Sequence, residues 1–450
     1  MDYRTIIDDY AERPFWESST RRLTFAELDR EVARWRGFLM GKGLKEGEVV
    51  AGPLYSLADA VGLPFACWSL NLLFMPLDPR LKADSLDHVS KQAPVSLWLR
   101  EENVPGDSIK EAGGDFNFNL FSNRPSLIIL TSGSGGYAKC AALSRANVFI
   151  SAQSVAQYFS LHGGDRWLHV LPDFHIGGLA VWLRCFVAGA TVVSRRKVTE
   201  TLPESLTHMS LVAAQLQTLL GKGSALPRLR AVLLGGSAIS TSLIDKALGA
   251  GLPLFSGYGL TEMASTVAVK KHFEPRDAET AGAELLPGRE VRIVDGEILL
   301  RGEVLFAGYF KKKRLTAATD EAGWFATGDL GLLKQNRLTV LGRRDNMFIS
   351  GGENIRPEEI ERHLLHIPGI EAAMIVPWPD SRFGHRPVAV IHNAAGHSAG
   401  KIKTVLAEKL PSFKIPRDFF GWPAGESAGI KWRRAEILTM LEKGSLSPLE

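Results

Sequence analysis

Short apolar runs recur along the first half of the chain, separated by polar or helix-spaced stretches. Leu127–Leu130, Leu168–Leu171, Thr191–Val193 and Ala231–Leu234 are four such runs. Each is too short for a core helix and reads as a strand buried on both faces. Ala146–Tyr158 and Ser240–Leu248 carry helical spacing, and Ser144 stands where a helix N-cap belongs. Ala60–Leu77 reads as a buried helix running into a strand. It is short for a membrane span and is interrupted by Ser69, Asn71 and prolines. Buried strands alternating with helices predict an α/β fold with mixed, mostly parallel sheets sandwiched with helices.

The texture changes after about residue 285. Val291–Val294, Glu297–Arg301 and Leu338–Leu341 are strand-like pieces joined by glycine and asparagine turns. They predict a small antiparallel, distorted barrel-like section reaching residue 344. Beyond Arg344 the pattern changes again. Pro357–Leu365 reads as a helix with proline in its first turn. Ala372–Pro377 and Pro387–His392 read as strands, and Ile402–Leu410 as a helix broken by Pro411–Pro416. Residues 345–450 therefore form a small α+β unit after a large unit spanning 1–344.

Composition narrows the function classes. Hydrophobic residues make up 45% and charged residues 23%, enough apolar material for large cores. The net charge of +4 comes from 53 basic and 49 acidic residues. That balance is too even to suggest a nucleic-acid binder. Cys67, Cys140 and Cys185 are odd in number and form no CxxC pair. This argues against a disulfide framework or zinc site and points to a reducing cytoplasm. The first residues are charged and lack an apolar signal core.

The chemistry begins at Thr131-Ser132-Gly133-Ser134-Gly135-Gly136-Tyr137-Ala138-Lys139, directly after an apolar strand. Glycines let backbone N–H groups turn toward an anion, hydroxyls add donors and Lys139 adds charge. No GK[ST] closes the segment, so it is not a Walker A loop. A plain glycine-serine surface loop satisfies the same residues. Tyr258-Gly259-Leu260-Thr261-Glu262 offers a flat ring, a hydroxyl and a hard oxygen for Mg²⁺, or simply a strand-to-helix turn. Thr327-Gly328-Asp329, Gly342-Arg343-Arg344-Asp345-Asn346 and Lys431 are equally ambiguous one at a time.

Their order is not ambiguous. The run TSGSGG…K, LPDFHIGG, LLGGS, GYGLTE, TGD, GRRDN…GGENIRPEEIE and GIK resembles the acyl-adenylate-forming superfamily, from about Leu23 to Lys431. The resemblance implies an enzyme that activates a carboxylic acid with ATP and Mg²⁺ and passes the acyl group to a thiol such as coenzyme A. It also implies roles. Thr131, Ser132, Gly133, Ser134, Gly136 and Lys139 hold the β- and γ-phosphates. Thr261 meets the α-phosphate and Glu262 the Mg²⁺. Gly235, Gly236 and Tyr258 enclose adenine; Asp329 and Arg343 hold the ribose. Lys431 bridges the α-phosphate and the carboxylate, and His175 sits at the mouth of the acyl pocket. Asp345 is the hinge of a mobile C-terminal unit, and Gly351 and Gly352 line the pantetheine path.

Gly135 and Ala138 stand where the superfamily pattern has threonine and proline, which implies weaker ATP binding. Ser144-Arg145 replaces a common serine-histidine pair. The short length, Leu286–Val291 and Phe383–Val388 resemble the o-succinylbenzoate–CoA ligase family of menaquinone biosynthesis. Gln215 and Gln217 lie where pocket residues are expected and have amides to bond a second substrate carboxylate, or are simply polar residues at a strand-to-helix join. Another small aryl- or acyl-CoA ligase, a carrier-protein loader and a non-catalytic ATP or AMP sensor remain alternatives at this point. The expected partners are small molecules, with no nucleic acid and no stable membrane insertion. Homo-oligomerisation is left open.

Overall fold

The computed structural model describes residues 1–54, 57–100, 116–131, 138–223, 226–236, 239–272, 282–393, 395–424 and 432–449. Two large sheets dominate. In the larger, Ala231–Leu234 pairs in parallel with His208–Leu211 on one side and Leu254–Leu260 on the other. The sheet continues through Arg166–His169, Thr191–Ser194 and Pro14–Glu17. Thr191–Ser194, His208–Leu211 and Ala231–Leu234 are buried throughout. Such strands need cover on both faces, which explains why they are short and apolar rather than alternating.

Past Leu254–Leu260 the same sheet turns antiparallel. Ser265–Lys271, Ala283–Leu285, Arg337–Arg343, Phe325–Lys334, Glu297–Arg301 and Glu290–Val294 follow in that order. Here burial alternates, as in Glu297–Arg301, because one face meets solvent. This is the half-barrel section that the change after residue 285 predicts. It does not stand apart, since its strands extend the central sheet to 13 strands. The hairpin Gly308–Lys311 and Arg314–Thr316 leaves it and joins the edge of the second, seven-stranded sheet.

Helices Arg145–Tyr158 and Ile176–Ala188 fill the space between the sheets. The first is fixed by a capping box in which Ser144 and Asn147 serve each other's backbone N–H. The second ends at Gly189 in the left-handed conformation. Gly178 must lack a side chain, because a Cβ there would strike the Pro172 carbonyl. The core between the layers is largely aromatic, with Phe65 and Phe186 ring centroids 4.6 Å apart and Phe15 and Phe25 4.9 Å apart.

Residues from Phe348 onward build cores of their own. Ile355, Ile360, Leu364, Ile375, Ile391 and Phe419 form one; Val376, Val388, Val390 and Ile437 form another. Pro357–Leu365 starts with proline at its first turn, as its sequence predicts. Its neighbouring strands, Ile370–Asp380 and Gly384–Asn393, are longer than the apolar runs suggest because their polar ends keep pairing in a hairpin. The two halves touch at Glu371, which accepts from Gln217 at 2.6 Å and pairs with Lys246 at 3.0 Å. No described helix is long and apolar enough to cross a membrane.

Candidate active site

The strand Leu254–Leu260 carries the chain to a short 3₁₀ turn, Thr261–Met263. A Cβ at Gly259 would collide with the Ser265 carbonyl, so only glycine permits this close reversal. Ala264 and Ser265 complete it with φ of 49° and 103°. Such conformations cost energy for residues with side chains and cluster at functional sites. The turn presents Thr261 and Glu262 at the carboxyl end of a central strand of the larger sheet.

Glu262 accepts a 2.6 Å hydrogen bond from the Tyr309 hydroxyl, on the hairpin of the other sheet. Burial foremost, and then the Glu262 charge, push the Tyr309 phenol up, so it remains a donor. The ammonium of Lys139 lies 5.3 Å from the Tyr309 ring centroid, a cation–π contact. Thr131, paired with Lys139 across two strands, has a buried hydroxyl with no partner among the described residues. Lys139 and Thr131 thus bracket the glycine-rich segment. Ser132, Gly133, Ser134, Gly135 and Gly136 lie outside the described residues.

A second cluster adjoins the first. The Tyr258 hydroxyl donates to Asp329 at 2.7 Å, and Arg343 lies 3.3 Å from the other Asp329 oxygen. Asp329 and Arg343 are cross-strand partners, so sheet register itself brings them together. Burial pushes the Asp329 carboxyl up, opposed by the Tyr258 donor and the Arg343 charge. Arg343 also reaches Asp345, at 3.7 Å, in the turn that leads to the C-terminal residues.

Gly235 and Gly236 follow the strand Ala231–Leu234. A Cβ on Gly235 would meet nothing, so bare backbone borders open space there. His175 is exposed and immediately precedes the helix Ile176–Ala188. Burial pushes the Asp78 carboxyl up, but its bonds from Arg80 outweigh that and hold it down, with a smaller contribution from His175. Gly351 and Gly352 form a tight turn with φ of 57° and 88°. Lys431 lies outside the described residues.

Several features escaped the sequence reading. Gln217 is exposed and its amide is already bonded to Glu371. Gln215 spends its amide on the Val212 N–H and the Val170 carbonyl, which makes it a helix cap. Arg145 donates to the Trp68 carbonyl at 2.8 Å and stacks on Phe118. Its replacement of histidine therefore serves packing. The cysteines are all buried, and burial pushes the Cys140 thiol up to about 11, a poor state for a nucleophile.

Most informative is Arg184, an isolated cation in the apolar helix Ile176–Ala188. It is 2% exposed, and burial pulls its guanidinium down to about 9. Its partners are neutral: Thr266 at 3.1 Å, Ser265 at 3.3 Å and the Trp167 ring. No carboxylate pairs with it among the described residues. Arg289, also buried, adds to the local positive charge. The sequence signal was present, one arginine amid AVWLRCFVA, but no motif marks it.

The turn offers an acid and a threonine beside a Tyr–Asp–Arg cluster, at the end of parallel strands, where α/β sheets commonly bind ligands. The chain matches the AMP-binding enzyme family over residues 4–310 and belongs to it. It is 39% identical over 430 residues to the 2-succinylbenzoate–CoA ligase of Escherichia coli K12, covering 94% of each chain. Its fold superimposes on an E. coli MenE variant with bound OSB-AMS at a TM-score of 0.86. Identity there is 30%, and 98% of this chain and 97% of the other are covered. The o-succinylbenzoate coenzyme A synthetase of Bacillus subtilis, in complex with ATP and a magnesium ion, gives a TM-score of 0.82. That pair is 26% identical, with 97% and 100% covered.

Proposed function

We propose that this chain is an ATP-dependent, AMP-forming acid–CoA ligase whose acid is o-succinylbenzoate. The observation that carries the ligase reading is the bonded cluster Tyr258–Asp329–Arg343 lying a few residues from Thr261 and Glu262. Asp329 has the oxygens to accept from ribose hydroxyls, and the Tyr258 ring and bare Gly235–Gly236 backbone suit a purine.

The chemistry has two halves. A substrate carboxylate oxygen attacks the α-phosphorus of ATP, and the bond to the β-phosphate breaks, releasing pyrophosphate. A thiolate of CoA then attacks the acyl carbon of the adenylate, and AMP leaves with the former carboxylate oxygen. The first attack brings an anion to a phosphorus ringed with negative charge, so aimed cations matter most. Lys139 faces the phosphates, and Lys431 enters with the C-terminal unit, 345–450. Glu262 has one oxygen bonded to Tyr309, and its other oxygen accepts nothing among the described residues. That free oxygen of Glu262 would hold magnesium, which would neutralise phosphate charge.

The dicarboxylate reading rests on Arg184. A buried cation without an anion is costly, and a second substrate carboxylate relieves it. Ser265 and Thr266, its neutral partners, lie just past Met263 and Ala264 on the strand that follows Thr261 and Glu262, so that carboxylate would sit near the reacting one. The alternation of two half-reactions uses the turn at Arg344–Asn346 as hinge. The buried cysteine thiols suit a reducing cytoplasm.

The test is a panel of carboxylic acids assayed for ATP-dependent CoA thioester by product mass. o-Succinylbenzoyl-CoA with stoichiometric AMP is expected. Turnover of other acids without o-succinylbenzoate would remove the substrate assignment and leave the ligase standing.

A further inference from the structure

The hairpin that supplies Tyr309 continues into Lys311-Lys312-Lys313-Arg314, all exposed. Register places part of this run with care. Tyr309 pairs with Ala141 and Phe310 with Cys140. One step further sets Lys311 opposite Lys139. Lys311 pairs in turn with Arg314 on the outer strand. On the inner side Lys139 pairs with Thr131. Because side chains alternate, Thr131, Lys139, Lys311 and Arg314 share the face of Tyr309, while Phe310 and Cys140 take the other. Three cations therefore stand side by side on three adjacent strands, about 5 Å from strand to strand.

Like charges directly opposite each other destabilise a sheet. None of the three pairs with a carboxylate among the described residues. The turn shows a further cost. Lys312 and Lys313 both hold positive φ, 47° and 64°, in a tight hairpin that normally takes Asn-Gly. It is nevertheless held in place, because Gln92 accepts from the Lys313 and Lys312 N–H groups at 2.8 and 3.2 Å. Sequence and backbone thus maintain an uncompensated cationic row that starts beside Glu262.

We propose that Lys311 and Arg314 extend the phosphate site outward from Lys139 and bind the terminal phosphates of a polyphosphate anion. The γ end of ATP and free pyrophosphate share that chemistry. With the inner phosphates at Glu262 and Lys139, the tail runs over Lys311, two residues along the strand from Tyr309. Both residues lie in solvent, so their contribution is screened by salt. The inference rests on the adenylation reading only for the identity of the nucleotide.

The test uses the full chain with K311Q/R314Q and, as the charge-conserving control, K311R/R314K. ATP, pyrophosphate and AMP binding are measured by calorimetry at low and high salt. Removing two charges should weaken ATP and pyrophosphate about tenfold at low salt, with a smaller gap at high salt, and leave AMP unchanged. The control should bind as the parent does. Loss confined to pyrophosphate would assign the row to product exit; loss of both would assign it to bound ATP as well. Unchanged ATP and pyrophosphate affinity, or an equal loss for AMP, would overturn the proposal. Tight ATP binding by the parent with no o-succinylbenzoyl-CoA formed would instead count against the function and leave the row intact.

Discussion

The Tyr309 hydroxyl and the Glu262 carboxylate, 2.6 Å apart, join the two large sheets at the point where ATP chemistry is expected. A hydrogen bond to a charged group contributes roughly 1.5–3 kcal/mol. Tyr309→Phe removes the donor and keeps the ring under Lys139. Adenylation, read as pyrophosphate exchange, should slow by about tenfold or more and need more Mg²⁺. Thioester formation from supplied adenylate should be unaffected.

Arg184→Met tests the dicarboxylate reading. The KM for o-succinylbenzoate should rise by about thirtyfold or more, with the KM for ATP unchanged. Replacing an uncompensated buried cation by an apolar chain should leave thermal stability equal or higher. A stable variant with an unchanged KM for the acid would remove Arg184 from the substrate site.

His208 sets an acid limit on stability. Burial, the main cause, pulls its imidazole from 6.5 down to about 4. The ring stacks on Trp167 with centroids 5.0 Å apart, and its Nε2 has no hydrogen-bond partner among the described residues. The unfolded chain therefore binds the proton first as pH falls. The contribution is complete above about pH 6.5 and is lost progressively down to about pH 4, on the order of 3 kcal/mol in all. Chemical denaturation at stepped pH should show a shallower slope across that window for His208→Phe than for the parent.

Lys431→Ala should abolish adenylation while sparing transfer to CoA from preformed adenylate, because only the first half-reaction brings a carboxylate against a phosphate. Rapid-quench assays of each half-reaction check this. Equal loss of both would remove the lysine from its assigned step.

Much of the architecture is legible in the chain. Ala231–Leu234, Glu297–Arg301 and Pro357–Leu365 have in the structure the bounds that apolar period, turn residues and a first-turn proline mark. Local signals of that kind act within a few residues, so they survive without tertiary information. The order of the short motifs is legible for a related reason, and it pointed to the family that the chain matches over residues 4–310.

What neighbours what was decided only in three dimensions. Tyr309 carries no motif; a crossover that places its hairpin on the second sheet brings it to Glu262. Gln217 stood at a plausible spacing, yet the helix turns it outward to Glu371. Arg184 looked like one charge in an apolar helix, and only burial among neutral partners showed it uncompensated. The sequence by itself determined most of the elements and the α/β class, because these depend on short-range spacing. Tertiary structure decided the partners of Glu262, Asp329 and Arg184, because burial and pairing across strands arise from residues far apart in the chain.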